Sequence, residues 1–103
     1  MYSIDDFKKI NQSESMILTQ HSRKRFAERK IKIQDIINAI NQGEIIEEYP
    51  EDYPFSSCLI LGKSGDKALH ICASISDEYI YLITAYVPGS DRWENDLRTR
   101  REI

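Results

Sequence analysis

Glycine and proline are scarce in this chain, four and three in 103 residues, which excludes a collagen-like repeat and a low-complexity disordered segment. Cysteine is scarcer still. Two thiols, Cys58 and Cys72, cannot staple a small domain; they fall on neighbouring expected strands and read as buried thiols of a reducing compartment. Together with His70 they make no closed zinc shell, so neither a metal nor another cofactor is expected. No apolar run reaches the roughly 18 residues that a membrane span needs. Glycine-rich phosphate loops and the Gly-x-Ser-x-Gly elbow are missing, and there is no internal repeat. The opening Met-Tyr-Ser-Ile-Asp-Asp-Phe-Lys-Lys carries acids where a secretory signal carries basic residues. A cytoplasmic protein that is not bound to a membrane is expected.

What is present suits one globular domain over 1–103, with 41% hydrophobic, 10% aromatic and 30% charged residues. The net charge of −3 conceals a pattern. Ten of the fourteen basic residues lie in two short stretches: Arg23, Lys24, Arg25, Arg29, Lys30 and Lys32, then Arg92, Arg98, Arg100 and Arg101. Acids concentrate elsewhere, most densely in Glu47, Glu48, Glu51 and Asp52. A surface polarised in this way binds phosphate through its local potential, whatever the net charge. The plainer reading is a pair of solvated helix faces.

Periodicity gives an α+β order. Ser3 with Asp6 caps a first helix containing Phe7 and Ile10. The apolar run Met16-Ile17-Leu18-Thr19 leads into a second helix over about 20–30, with Phe26 and Ala27 facing inward. A third spans about 34–42 on an Ile36, Ile37, Ile40 face and stops at Gly43. Beyond it the period changes to that of strands, at 44–49, 57–62, 67–75 and 79–87, and short turns make neighbours antiparallel. Residues 91–101 return to helix, with Trp93 and Leu97 four apart. The expected fold is N-terminal helices packed on a curved antiparallel sheet of about four strands, closed by a short C-terminal helix.

His21, Arg25 and Arg29 recur at helical spacing and form one stripe. In the third sheet strand, Leu69, Ile71, Ala73 and Ile75 are the core face, leaving His70 and Cys72 on the other. A two-residue Asp77-Glu78 loop pairs 75 with 80 and sets His70 beside Ala85. A three-residue loop pairs 70 with 86 and groups His70 with Thr84 and Tyr86. One residue of slip flips every side chain. A set of His, Arg and Tyr side chains can cut RNA without metal, because the nucleophile is the RNA's own 2′-hydroxyl. Histidine moves the proton, arginine forks hold the phosphate, and tyrosine stacks on a base or donates a proton. Against this stand plainer roles: His21 as a helix-start residue, His70 as a structural strand histidine, Arg25 and Arg29 as partners of nearby acids, and Trp93 as a core anchor.

The string His21-Ser22-Arg23-Lys24-Arg25-Phe26-Ala27-Glu28-Arg29-Lys30-Ile31 resembles the opening of a widespread bacterial domain family of unassigned function. Further pieces of its pattern follow in order: Ile36 to Gly43, Ile45-Ile46-Glu47-Glu48-Tyr49, Leu61-Gly62, Leu69-His70, Ile83-Thr84-Ala85-Tyr86 and Arg92-Trp93-Glu94. The resemblance runs from about residue 18 to 101. By analogy with RelE-like ribonuclease toxins, it implies the toxin of a type II toxin–antitoxin pair. Such a protein is a metal-independent endoribonuclease that cuts mRNA and is restrained by a small antitoxin, zinc-finger or other. The resemblance puts the catalytic positions at His21, Arg25, Arg29, His70, Thr84 and Tyr86. Arg23, Lys24, Lys30, Arg92 and Trp93 are the expected RNA contacts. The competing expectation is a non-catalytic interaction module or degenerate toxin that docks a protein partner by its sheet edge or by the exposed loop 49–55, where Tyr49, Tyr53 and Phe55 among acids suit a basic one.

Overall fold

The computed structural model describes residues 2–102. Its fold is α+β, with three helices on a five-stranded mixed sheet. The order is α1 (Ile4–Lys8), a 3-10 turn (Ser13–Ser15), β1 (Met16–Ile17), α2 (Gln20–Glu28), α3 (Ile33–Asn41), β2 (Glu44–Tyr49), β3 (Ser57–Ser64), β4 (Lys67–Ser76) and β5 (Tyr79–Tyr86). The strands lie in the order β1-β5-β4-β3-β2. Four of them match the expected antiparallel run. The fifth is the apolar stretch before α2, which pairs in parallel with Ile80 and Tyr81 at the sheet edge. Its two paired residues are too few to show a strand period.

Local chemistry places the helices. The Thr19 hydroxyl accepts the Ser22 N–H and caps α2, and the Asp35 carboxylate accepts the Lys32 N–H at the start of α3. At the far end of α2, Lys30 turns left-handed at φ 58°, and the Lys30 and Ile31 N–H groups close back on Ala27 O and Phe26 O. Phe26 is buried as expected, whereas Ala27 is exposed, because the turn of α2 that meets the sheet presents Ser22 and Phe26. α3 lies so close to β3 that a Cβ on Gly62 would stand 2.0 Å from Ala39 O. The core between helices and sheet is built from Phe7, Ile36, Ile40, Ile60, Leu69, Ile71 and Ile80, all fully buried.

Both expected hairpin registers occur in one strand pair. Asp77 and Glu78 form the turn, with Ser76 opposite Tyr79 and Ile75 opposite Ile80. The pairing then shifts between Cys72 and Ala73, leaving Ile83 as an extra residue, and continues as Cys72 opposite Thr84 and His70 opposite Tyr86. This bulge puts His70, Cys72, Thr84 and Tyr86 on the sheet face turned away from the helices. Cys58 stands opposite Ala73 and Cys72 opposite Leu59, so the two free thiols occupy opposite faces and do not meet.

The C-terminal helix does not form. Asp96 Oδ1 accepts the N–H groups of Arg98 and Thr99, and Oδ2 accepts the Thr99 hydroxyl, a local turn that competes with helix. Leu97 is left-handed at φ 61°, Trp93 bridges Arg100, and Glu94 N–H donates to Thr99 O at 2.8 Å. Residues 88–102 are thus a small looped hairpin laid over the outer face of the sheet. Among the described residues no helix is long and apolar enough to cross a membrane.

Candidate functional site

β1 ends at Ile17, so β5 has no strand beside it beyond Tyr81 on that side. α2 takes its place. The Ser22 hydroxyl stands 3.3 Å from Ile83 O, and Arg29 Nη1 donates to Ala85 O at 2.8 Å and to Thr84 Oγ1 at 3.2 Å. Two turns of helix separate these anchors, and along them the side chains of His21, Ser22 and Arg25 border an open pocket of about 270 Å³. Phe26, Arg29, Ile83 and Thr84 complete its lining. Four of the sequence-predicted residues, His21, Arg25, Arg29 and Thr84, therefore share one site. The three basic ones are exposed, and among the described residues none of them pairs with an acid. Arg23, Lys24 and Lys30 are exposed on the same helix and its end but do not line the pocket.

His70 and Tyr86 form a second group, and it is covered. His70 is 0% exposed, with Tyr86 Oη 3.1 Å from Nδ1 and Leu97 O 2.6 Å from Nε2. A carbonyl only accepts, so Nε2 carries the proton and the Tyr86 hydroxyl donates to Nδ1. Burial lowers the His70 pKa, partly opposed by the Leu97 carbonyl, and holds the ring neutral. Burial likewise raises the Tyr86 pKa. Trp93 meets the His70 ring edge-on at 4.4 Å, and the Arg100 guanidinium lies 4.7 Å from the Trp93 ring centroid. At 3% exposed, Trp93 is a packing residue of the tail and offers no free face to a base. Arg92 is exposed beside it, away from the α2 pocket.

The rest of the second basic stretch is spent on the protein itself. Arg100 grips Glu47 with two hydrogen bonds of 2.8 and 2.9 Å, Arg98 pairs with Glu44, and Arg101 with Glu94 at 2.8 Å. The Arg100 fork holds the Glu47 carboxyl below its ordinary range. Burial, with the Glu47 hydrogen bond, pushes Tyr49 up to about 12. Tyr49, expected on an exposed loop, is half-buried in β2, and its grouping with Glu47 and Arg100 was not legible because a charge run carries no mark of its partner. A larger pocket of about 600 Å³ adjoins the first one and is lined by Ile17, Asp52, Tyr53, Phe55, Tyr81 and Ile83, among others. His21, Ser22 and Ile83 line both. Its signal in the sequence was the aromatic loop 49–55.

The chain belongs to the family described as Domain of unknown function (DUF4258), whose pattern matches residues 18–87. That segment includes α2, β4 and β5, hence both groups of residues, and excludes the covering tail. No curated protein and no solved structure matches the chain.

Proposed function

We propose that this protein is an endoribonuclease that cuts mRNA without a metal ion, the toxin of a type II toxin–antitoxin pair. The convergence of His21, Arg25, Arg29 and Thr84 on one open pocket carries this reading. His21 takes the proton of an RNA 2′-hydroxyl, and the freed oxygen attacks the adjacent phosphorus. Arg25 and Arg29 hold the non-bridging oxygens as charge builds on them. The bond from phosphorus to the 5′-oxygen breaks, giving a 2′,3′-cyclic phosphate, and water protonates the departing oxygen. Thr84 fixes Arg29. His70 and Tyr86, covered by the tail, support the β5 strand end rather than touch RNA. The RelE-like kinship is a fold-level analogy, supported by helices that precede a largely antiparallel sheet. A small antitoxin, zinc-finger or other, is the partner it implies. Induced expression in a bacterial host tests the whole reading: wild type arrests growth and loses mRNA, and His21→Ala and Arg25→Ala do neither. Toxicity retained by both variants contradicts the assignment.

One observation favours a second reading. Tyr53 is 95% exposed and Phe55 40% exposed, beside Glu51 and Asp52, a surface suited to a basic protein partner. A folded, abundant protein that leaves growth and mRNA intact while binding such a partner would select it.

A further inference from the structure

We propose that the larger pocket holds one guanine base of the bound RNA, read by the Asp52 carboxylate. The inference rests on the RNA reading above and supplies its base preference. The pocket, at about 600 Å³, is in the range of roughly 300–1,000 Å³ common for small-ligand sites. Its wall is aromatic: Phe55 packs on Tyr81 with ring centroids 5.7 Å apart, and the Tyr53 ring stands free. Unpaired bases stack on such rings.

His21, Ser22 and Ile83 line both this pocket and the one bearing Arg25 and Arg29, so the two adjoin and a base in one stands beside its phosphate in the other. Charge sets the direction. Among the described residues Asp52 is the one acid lining the aromatic pocket and repels phosphate, whereas the arginines at the other end attract it.

Asp52 is an exposed residue whose Oδ2 accepts from the hydroxyl of fully buried Ser57. A carboxylate only accepts hydrogen bonds. Guanine presents two adjacent donors, N1–H and the 2-amino group, that match its two oxygens. Adenine and cytosine set an acceptor nitrogen beside their amino group, and uracil sets its one N–H between two carbonyls.

Isotope-labelled protein titrated with the four ribonucleoside 3′-monophosphates, followed by NMR, tests this. Guanosine monophosphate binds at least ~10-fold tighter than the other three, and shifts appear at Phe55, Tyr81 and His21. Asp52→Asn, which keeps an acceptor for Ser57, removes the preference; Phe55→Ala and Arg25→Ala weaken all four. Equal affinities, no binding, or a guanine preference that survives Asp52→Asn overturns the proposal. Guanine-selective binding by a protein that leaves RNA uncut keeps the pocket and removes the nuclease reading. Cleavage indifferent to base, with flat nucleotide affinities, does the reverse.

Discussion

His70 shows how one residue's surroundings decide its role. Its two ring nitrogens are both committed and its surface is fully enclosed, so His70→Ala leaves a cavity and strands the Leu97 carbonyl and the Tyr86 hydroxyl. The expected cost is about 3 kcal/mol in urea unfolding, within the usual range for large-to-small core substitutions. Loss of activity in that variant therefore reports on folding; Tyr86→Phe, which removes one hydroxyl, is the cleaner probe. The same burial predicts a pH dependence. His70 titrates below its unfolded value of about 6.5, so the unfolded chain takes up the proton first. Stability is full above that pH and falls as the pH drops from there through the folded value. A urea midpoint flat between pH 7 and 5 would contradict this. Lys30 offers the opposite change: at φ 58° its Cβ is strained, and Lys30→Gly is expected to raise stability by about 0.5–1 kcal/mol in the same assay. The stripe of His21, Arg25 and Arg29 was legible because helical spacing alone puts three side chains together. The burial of His70 was not, since its cover comes from residues far along the chain with no periodic link to it.

At the scale of elements, α2 acts as a substitute edge strand. Ser22 and Arg29 occupy carbonyls that a longer β1 would have taken, and this brings the basic stripe onto Thr84. The bulge at Ile83 is what lets a two-residue turn coexist with the His70–Tyr86 pair. Sequence reasoning framed the turn length as a choice of one register, and an extra residue inside the strand supplied both. The tail was misread for a related reason: Trp93 and Leu97 have helical spacing, yet the Asp96 carboxylate caps its own following residues and bends the chain first. Arg100 ties the tail to the sheet through Glu47, as Arg98 does through Glu44. Arg100→Ala is expected to speed amide exchange over residues 92–101 and to move the His70 pKa toward its ordinary value, both readable by NMR. The pair is half-exposed on the Arg100 side, so the global stability change stays within about 1 kcal/mol. Unchanged exchange in the tail would mean that Trp93 packing, the Leu97–His70 hydrogen bond and the Arg98–Glu44 pair hold it without Arg100.

The whole molecule separates its charges by task. Arg98, Arg100 and Arg101 close the tail, whereas among the described residues the basic side chains of α2 pair with no acid. The net charge of −3 says nothing of this division, because a sum over the chain hides where the charges lie. The α+β order and four of the strands followed from periodicity; the fifth strand and the pairing of the tail depended on contacts between distant segments. The central claim is that the α2–β5 pocket cuts RNA by protein side chains alone. The most direct measurement is incubation of purified protein with a defined single-stranded RNA in excess EDTA, wild type beside a folded Arg25→Ala variant. Wild-type fragments ending in 2′,3′-cyclic phosphate are expected, with cleavage at least ~100-fold slower in the variant, about the loss seen on removing one transition-state charge contact. Intact RNA with both proteins, or equal cleavage by both, would contradict it.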